Sequence, residues 1–271
     1  MTMLDVDLDR PQKIDSARLP PVVAVVSPKG GTGKTALATN LALAFANRTP
    51  TVLADLDMYS GDVEWAFGVQ PAYRLHDVAR RLREDTSTEL EGMFTGRGKT
   101  LSLLCSPDSH IAADGVMPSD LATIAQRLVS LDRPVVLDTA PGMSDFTLDA
   151  IEAASRVVLV TTTDVAAVQA ARKLLDTMHA LHLDTGRVSL VVNRTTARTG
   201  LSVSDIEHRL GYESMLRIPD SRHVAEGLNS GSPIMETHPE SQISSDVQAF
   251  GDSLLGVTIG KRFSFWWKRG V

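Results

Sequence analysis

Seven short runs of aliphatic residues constrain what this chain can fold into more than any other feature: Val22–Val26, Thr51–Ala54, Leu101–Leu104, Val135–Leu137, Val157–Val160, Val188–Val192 and Leu216–Ile218. Each is too short for a helix and too continuous for a strand with one wet face, which is how strands buried on both faces read. Between them lie stretches of helical period such as Thr35–Asn47, Ser119–Ser130, Leu148–Ala154, Val165–Leu181 and Val203–Leu210. Strand and helix alternating in this way predict an α/β fold, a doubly wound, mainly parallel sheet of about seven or eight strands with helices on both faces. Right-handed crossovers then bring the strand C-termini to one edge, where such sheets bind ligands.

Composition narrows the class. The single cysteine, Cys105, excludes a disulfide framework and an all-cysteine metal cage within one chain. No apolar run approaches the ~20 residues that a spanning helix needs. The acidic start Met1–Gln12 lacks the basic-then-apolar order of a secretory signal, so a cytoplasmic protein is expected. Residues 1–20, ending at Pro20-Pro21, read as a flexible leader, 21–257 as a single domain without repeat or linker, and 258–271 as a distinct tail.

The first strand runs directly into Ser27-Pro28-Lys29-Gly30-Gly31-Thr32-Gly33-Lys34-Thr35 and then a helix. Pro28 stands where the strict phosphate-loop pattern has a glycine. The remaining chemistry is complete. Three glycines let backbone N–H groups turn inward around a polyphosphate, and the helix offers it a positive N-terminus. Lys34 would reach the β- and γ-phosphates, and the Thr35 hydroxyl would ligate Mg²⁺. Two further strands end in acids. The segment Thr51–Asp57 carries Asp55 and Asp57 at i and i+2, on one face of an extended chain, and Val135–Asp138 ends in Asp138. Alone, any of these could be a turn or helix-cap residue. Together, at one sheet edge beside a phosphate loop, they suit hydrolysis, which needs a metal holder and a positioned water.

The string from Lys29 to Thr35 resembles the deviant Walker A loop of the ParA/MinD group of P-loop ATPases, and the likeness extends over roughly residues 22–245. The resemblance implies ATP and Mg²⁺ as ligands, slow partner-stimulated ATP hydrolysis and a homodimer in the ATP-bound state. It also implies residue roles. Lys29 would cross the dimer to the partner's phosphates, as an arginine finger does. Asp55 would support the metal, Asp57 would orient the attacking water, Asp138 would hold Mg²⁺ through water, and the Gly142 N–H would sense the γ-phosphate. Asn193, beside Arg194, would hydrogen-bond the adenine, with Pro219 in the opposite base-side loop; Asn193 could instead be a simple turn former. Ala36 replaces a threonine that the group often has, leaving its backbone N–H for the α-phosphate and implying at most weaker nucleotide affinity, not loss of activity.

Within the group, Asp57-Met58-Tyr59-Ser60-Gly61-Asp62-Val63, Leu75–Val78, Val191–Arg194, Ser204–Glu207 and Asn229–Pro233 look like the CpaE/TadZ branch, whose members localise pilus-assembly machinery at a pole. The alternatives are a MinD-like division-site ATPase, a ParA-like DNA-partitioning ATPase, and a nucleotide-binding scaffold without turnover. Relatives that need paired cysteines for a cluster are excluded by the lone Cys105, which reads as a core thiol. Arg80, Arg81 and Arg83 could hold DNA phosphates, but such a run is more often a solvated helix face. His179 and His182 could share a metal, yet no third ligand is evident nearby, and a surface pair is the simpler reading.

The tail is unlike the rest. It holds four of the thirteen aromatics, Phe263, Phe265, Trp266 and Trp267, together with Lys261, Arg262, Lys268 and Arg269. Residues 260–271 contribute +4, so the formal charge of −6 conceals a body at −10, which disfavours general DNA binding. Trp beside Lys and Arg is the composition of an interfacial anchor, expected here on an anionic membrane at the inner face of the cell membrane. The same aromatics could instead pack on the protein's own core or on a partner.

Overall fold

The computed structural model describes residues 20–197 and 200–257. Most of the expected leader, and the whole tail with Phe263, Phe265, Trp266, Trp267, Lys268 and Arg269, lie outside the described residues.

Eight strands, β1 (Val22–Val26), β2 (Thr51–Leu56), β3 (Thr95–Arg97), β4 (Leu101–Leu104), β5 (Val135–Thr139), β6 (Arg156–Thr162), β7 (Val188–Asn193) and β8 (Ser214–Ile218), form one sheet. Their order is β3-β4-β2-β5-β1-β6-β7-β8. Every neighbouring pair is parallel except β3 against β4. The seven apolar runs are the seven parallel strands. The eighth, Thr95-Gly96-Arg97, carries no apolar run because it is a short antiparallel edge strand with no fully buried residue. Both β2 and β5 extend two residues past their aliphatic runs, which carries Asp55 and Asp138 into the sheet as register partners on adjacent strands. Neighbouring strands lie about 4.8 Å apart, so these carboxylates are side by side by construction.

The helices are α1 (Lys34–Ala46), α2 (Val63–Phe67), α3 (Leu75–Glu84), α4 (His110–Asp114), α5 (Pro118–Val129), α6 (Asp145–Ala153), α7 (Val165–Ala180), α8 (Val203–Leu210), α9 (Arg222–Asn229), α10 (Ile234–Thr237) and α11 (Gln242–Leu254). Helix α6 starts three residues ahead of its apolar pattern because Ser144 caps it, accepting the Thr147 N–H at 3.3 Å. Alternate strand residues feed two cores. Val22, Ala24 and Val26 of β1 pack toward α3, α5, α6, α7 and α8, and Val23 and Val25 toward α1, α2 and α11. That two-sided burial is why the strands read as continuous apolar runs.

Helix α1 is buried on nearly every side. At its far end Arg48 makes a bidentate pair with Asp252 of α11, both contacts 2.8 Å. The Val257 N–H in turn bonds the Asp252 carbonyl at 2.9 Å. The last described residue therefore lies at the sheet edge opposite the glycine loop.

Candidate functional site

The loop from β1 to α1 lies at the centre of the sheet, between the ends of β5 and β6. Two of its glycines need their freedom: Gly31 and Gly33 have φ of 77° and 90°. A Cβ on Gly33 would also lie 2.3 Å from Asn193 Nδ2. The first turn of α1 contains no acid, so its N-terminal dipole is left to an outside anion. Lys34 and Thr32 are buried beneath the loop.

Four carboxylates stand on the β2 and β5 flank of this loop. Asp55 is fully buried, and each of its oxygens already accepts a backbone N–H, from Asp57 at 3.1 Å and from Val63 at 3.2 Å. It holds both ends of the segment 57–63 and stands beside Asp138 rather than offering free oxygens. Burial first, and then the Asp138 charge, push it well above the usual carboxylate range. Asp138 is equally buried, and neither of its oxygens has a hydrogen-bond partner among the described residues. Burial raises it to about 7 against the pull of the Thr35 hydroxyl and Lys34, with the Asp57 and Asp62 charges adding to the rise. A buried, orphaned carboxylate beside a hydroxyl is the donor set a hard cation such as Mg²⁺ takes. Asp57, half-buried, accepts the Ser60 N–H at 3.0 Å and faces the same space. Asp62, absent from the sequence-derived residues of the site, is the fourth acid; burial and Asp57 raise it while Lys34 opposes.

On the other flank, Lys29 is not free. Its Nζ lies 2.6 Å from Asp164 Oδ1. Asp164 also caps α7 by accepting the Ala167 N–H at 3.0 Å, and it accepts the Thr162 hydroxyl. Burial alone would raise Asp164, but these three bonds together hold it down at about 2. Lys29, Gly30, Gly31, Thr32, Asp164 and Arg194 line a cleft of about 300 Å³ here. Sequence reasoning missed Asp164, although an acid between the Val157–Val160 run and the helical stretch from Val165 was the available signal.

The remaining residues read from sequence are brought to the same edge, with some of their groups already engaged. The Gly142 N–H bonds the Ser27 carbonyl at 3.3 Å, closing the end of β5 onto the phosphate loop. Asn193 donates Nδ2 to the Thr32 carbonyl at 2.8 Å, and its Oδ1 accepts the Arg194 N–H at 2.9 Å. Arg194 takes a left-handed φ of 55° there. Asn193 thus braces the loop from the end of β7, and the chain turns after it, with the Ala197 N–H bonding the Arg194 carbonyl at 3.0 Å. The Thr195 N–H bonds the Ile218 carbonyl at 3.0 Å, which sets Pro219 opposite Arg194. Between these loops and α1, an apolar pocket is lined by Gly33, Ala36, Leu37, Ile218, Val224 and Ile234. Ala36 contributes a methyl group to that wall.

The smaller features resolve simply. Arg80 pairs with Asp77 at 2.8 Å and Arg83 with Asp120 at 2.6 Å, and Arg81 sits 5.1 Å above the Tyr73 ring. The cluster is engaged with its own acids and ring. No group of three or more His, Cys, Asp or Glu side chains among the described residues is placed to hold a metal. The buried Cys105 thiol is pushed up to about 12, chiefly by burial.

Comparison with known proteins gives the same answer. A family model described as "ParA: NUBPL iron-transfer P-loop NTPase" matches residues 18–255. The septum site-determining protein MinD of Thermotoga maritima is 26% identical over 244 residues, covering 87% of this chain and 88% of that protein. Among solved structures, a ParA family ATPase from Chlorobium tepidum superposes with a TM-score of 0.79 at 21% identity, covering 85% of this chain and 98% of that one. MinD of Pyrococcus horikoshii, complexed with Mg-ADP, gives 0.76 at 19% identity, covering 87% and 96%. With its central glycine loop, its acids at the ends of β2 and β5 and its doubly wound sheet, the chain belongs to the ParA family of P-loop NTPases.

Proposed function

We propose that the protein is an ATP-dependent dimerising switch that binds and hydrolyses MgATP and positions a cellular machine. The observation that carries this reading is the buried, unpartnered Asp138 beside Lys34 and Thr35 at the mouth of a glycine loop. Loop N–H groups, Lys34 and the Thr35 hydroxyl bind the triphosphate end, and the loops of Asn193–Arg194 and Pro219 flank the base. Mg²⁺, held through Asp138 and Thr35, neutralises charge on the phosphates when bound. Asp57 orients the attacking water, and Asp55 keeps the segment bearing Asp57 in place. For Lys29 to act across a dimer it must leave Asp164. With side chains 42% and 32% exposed the pair is worth about 1 kcal/mol or less after solvent screening, so a phosphate charge can displace it. Loss of the γ-phosphate would return Lys29 to Asp164 and free the two copies. Single-turnover hydrolysis by the native protein and by Asp57→Ala tests the enzymatic reading; equal rates would leave a nucleotide-binding scaffold in its place.

The machine is the finer question. The Asp57–Val63 segment favours a CpaE/TadZ-like role in placing pilus-assembly machinery, and similarity to septum site-determining MinD proteins favours division-site placement equally. Deletion in the native organism separates them, by loss of pili or by misplaced septa. Partner proteins of that machine would stimulate turnover. DNA is a poor partner for a body at −10 whose Arg80–Arg83 cluster is already paired.

The tail, Phe263, Phe265, Trp266, Trp267, Lys268 and Arg269, would anchor the protein peripherally on anionic lipid. No helix among the described residues is long and apolar enough to cross a membrane. An anchor leaving from the edge opposite the glycine loop keeps the nucleotide face free for a second copy, and two tails would bind more tightly than one. Pelleting with anionic liposomes, with and without ATP, should fall sharply on truncation after residue 257. Unchanged pelleting would contradict the anchor.

A further inference from the structure

The segment that bears Asp57 is held from two sides, and only the inner side is accounted for by the acids of the site. The outer side is built by residues far from the nucleotide loop in sequence. Gly61 is packed so closely that a Cβ there would lie 2.0 Å from Ser106 Oγ and 2.5 Å from Asp55 Oδ2. Ser106 belongs to the loop after β4, and that loop is fixed by the start of α3. The Leu75 N–H bonds the Cys105 carbonyl at 2.9 Å, and Arg74 Nη1 bonds the Ser106 carbonyl at 3.2 Å. The other arm of the same guanidinium, Nη2, pairs with Glu64 Oε2 of α2 at 2.5 Å. Both side chains are largely withdrawn from water, 17% and 16% exposed, and the nearest further acid, Asp108, stands 4.0 Å from Arg74 Nε.

We infer that Arg74 is a positioning residue for hydrolysis: by tying α2 to the loop after β4 it closes the 57–62 segment around Asp55 and fixes where Asp57 points. The requirement is for a planar fork. One side chain must serve a carbonyl and a carboxylate in two directions at once, which a lysine ammonium on a flexible stem does less well. A residue that orients water loses most of its value when displaced by an ångström, whereas phosphate binding by the glycine loop, on the far side of β2 and β5, does not depend on this tie. The inference rests on the reading of Asp57 as the water-orienting residue.

Steady-state ATPase of the full-length protein decides, comparing Arg74→Gln, Arg74→Lys and Glu64→Gln with Asp57→Ala at a temperature well below each variant's melting transition. The expected result is a kcat about ten-fold lower for Arg74→Gln, with KM for ATP and affinity for ADP within about two-fold of the native values. Arg74→Lys should recover part of the loss, and Glu64→Gln should lower kcat in the same direction. Native kcat in Arg74→Gln, alongside an inactive Asp57→Ala, would overturn the inference alone. Native turnover in Asp57→Ala would overturn the reading beneath it. If Arg74→Gln does not fold, Glu64→Ala removes the tie to α2 while keeping the Ser106 bond, and a native kcat there overturns the inference equally.

Discussion

The two flanks of the phosphate loop are built on different principles. On the β2 side, the segment carrying Asp57 is fixed at both ends by Asp55, wedged against Ser106 through Gly61, and tied through Glu64 to Arg74. On the β6 side, the Lys29 ammonium is held by a 2.6 Å ion pair to Asp164 that is partly open to solvent. The first arrangement pre-organises a group that acts within its own chain. The second stores a cation where a competing anion can take it. In the proposed mechanism, water positioning falls to the rigid flank and dimer-dependent catalysis to the releasable one.

Substitutions on each flank should break this division in characteristic ways. The largest effect is expected at Lys29: Lys29→Ala should lower ATP turnover about 10³-fold, the scale of a phosphate-directed cation supplied in trans, while ATP binding by filter or fluorescence assay changes little. Asp57→Ala should lower single-turnover hydrolysis about 10²-fold and leave ATP-dependent dimerisation, read by light scattering, intact.

Asp138 gives a stability test. Its folded-state pKa of about 7 exceeds the ordinary value of 3.8, so the ligand-free protein holds more protons than the unfolded chain between these pH values. Stability conferred by the neutral form is present at low pH and lost as pH rises through that window. Asp138→Asn should therefore raise the ligand-free Tm by about 4 °C at pH 8, with a smaller gain at pH 5, and abolish Mg²⁺-dependent hydrolysis. The smallest effect is expected at Asp164. Asparagine there keeps the cap on α7 but releases Lys29, and should lower the ATP concentration for half-maximal dimerisation about three-fold.

The rigid flank was far more legible in the sequence than the releasable one. Buried strands announce themselves as aliphatic runs, and Asp55 and Asp138 follow such runs directly, so their meeting at one edge needed only a parallel sheet. Lys29 carries a motif, but its partner is 135 residues away, and Asn193 reaches Thr32 across 161. Those contacts depend on β1, β6 and β7 being neighbours, an order that hydrophobic period does not encode. Gly142 and Asn193 lie at the same sheet edge as the loop, and their engagement with Ser27 and Thr32 is a matter of hydrogen-bond geometry that residue type leaves open. Strand β3 was invisible because an edge strand reading Thr-Gly-Arg has no apolar face. Helix α11 could have been found from the Ser241 cap and the spacing of Ile243, Val247, Phe250 and Leu254.

The central claim, that Lys29 and Asp57 of different copies complete one catalytic site, is tested most directly by mixing two inactive variants. Each Lys29→Ala copy keeps Asp57, and each Asp57→Ala copy keeps Lys29. An equimolar mixture should regain about a quarter of native ATPase activity, since half the dimers are mixed and each mixed dimer has one complete site. Activity no greater than that of the two variants measured separately would contradict the account.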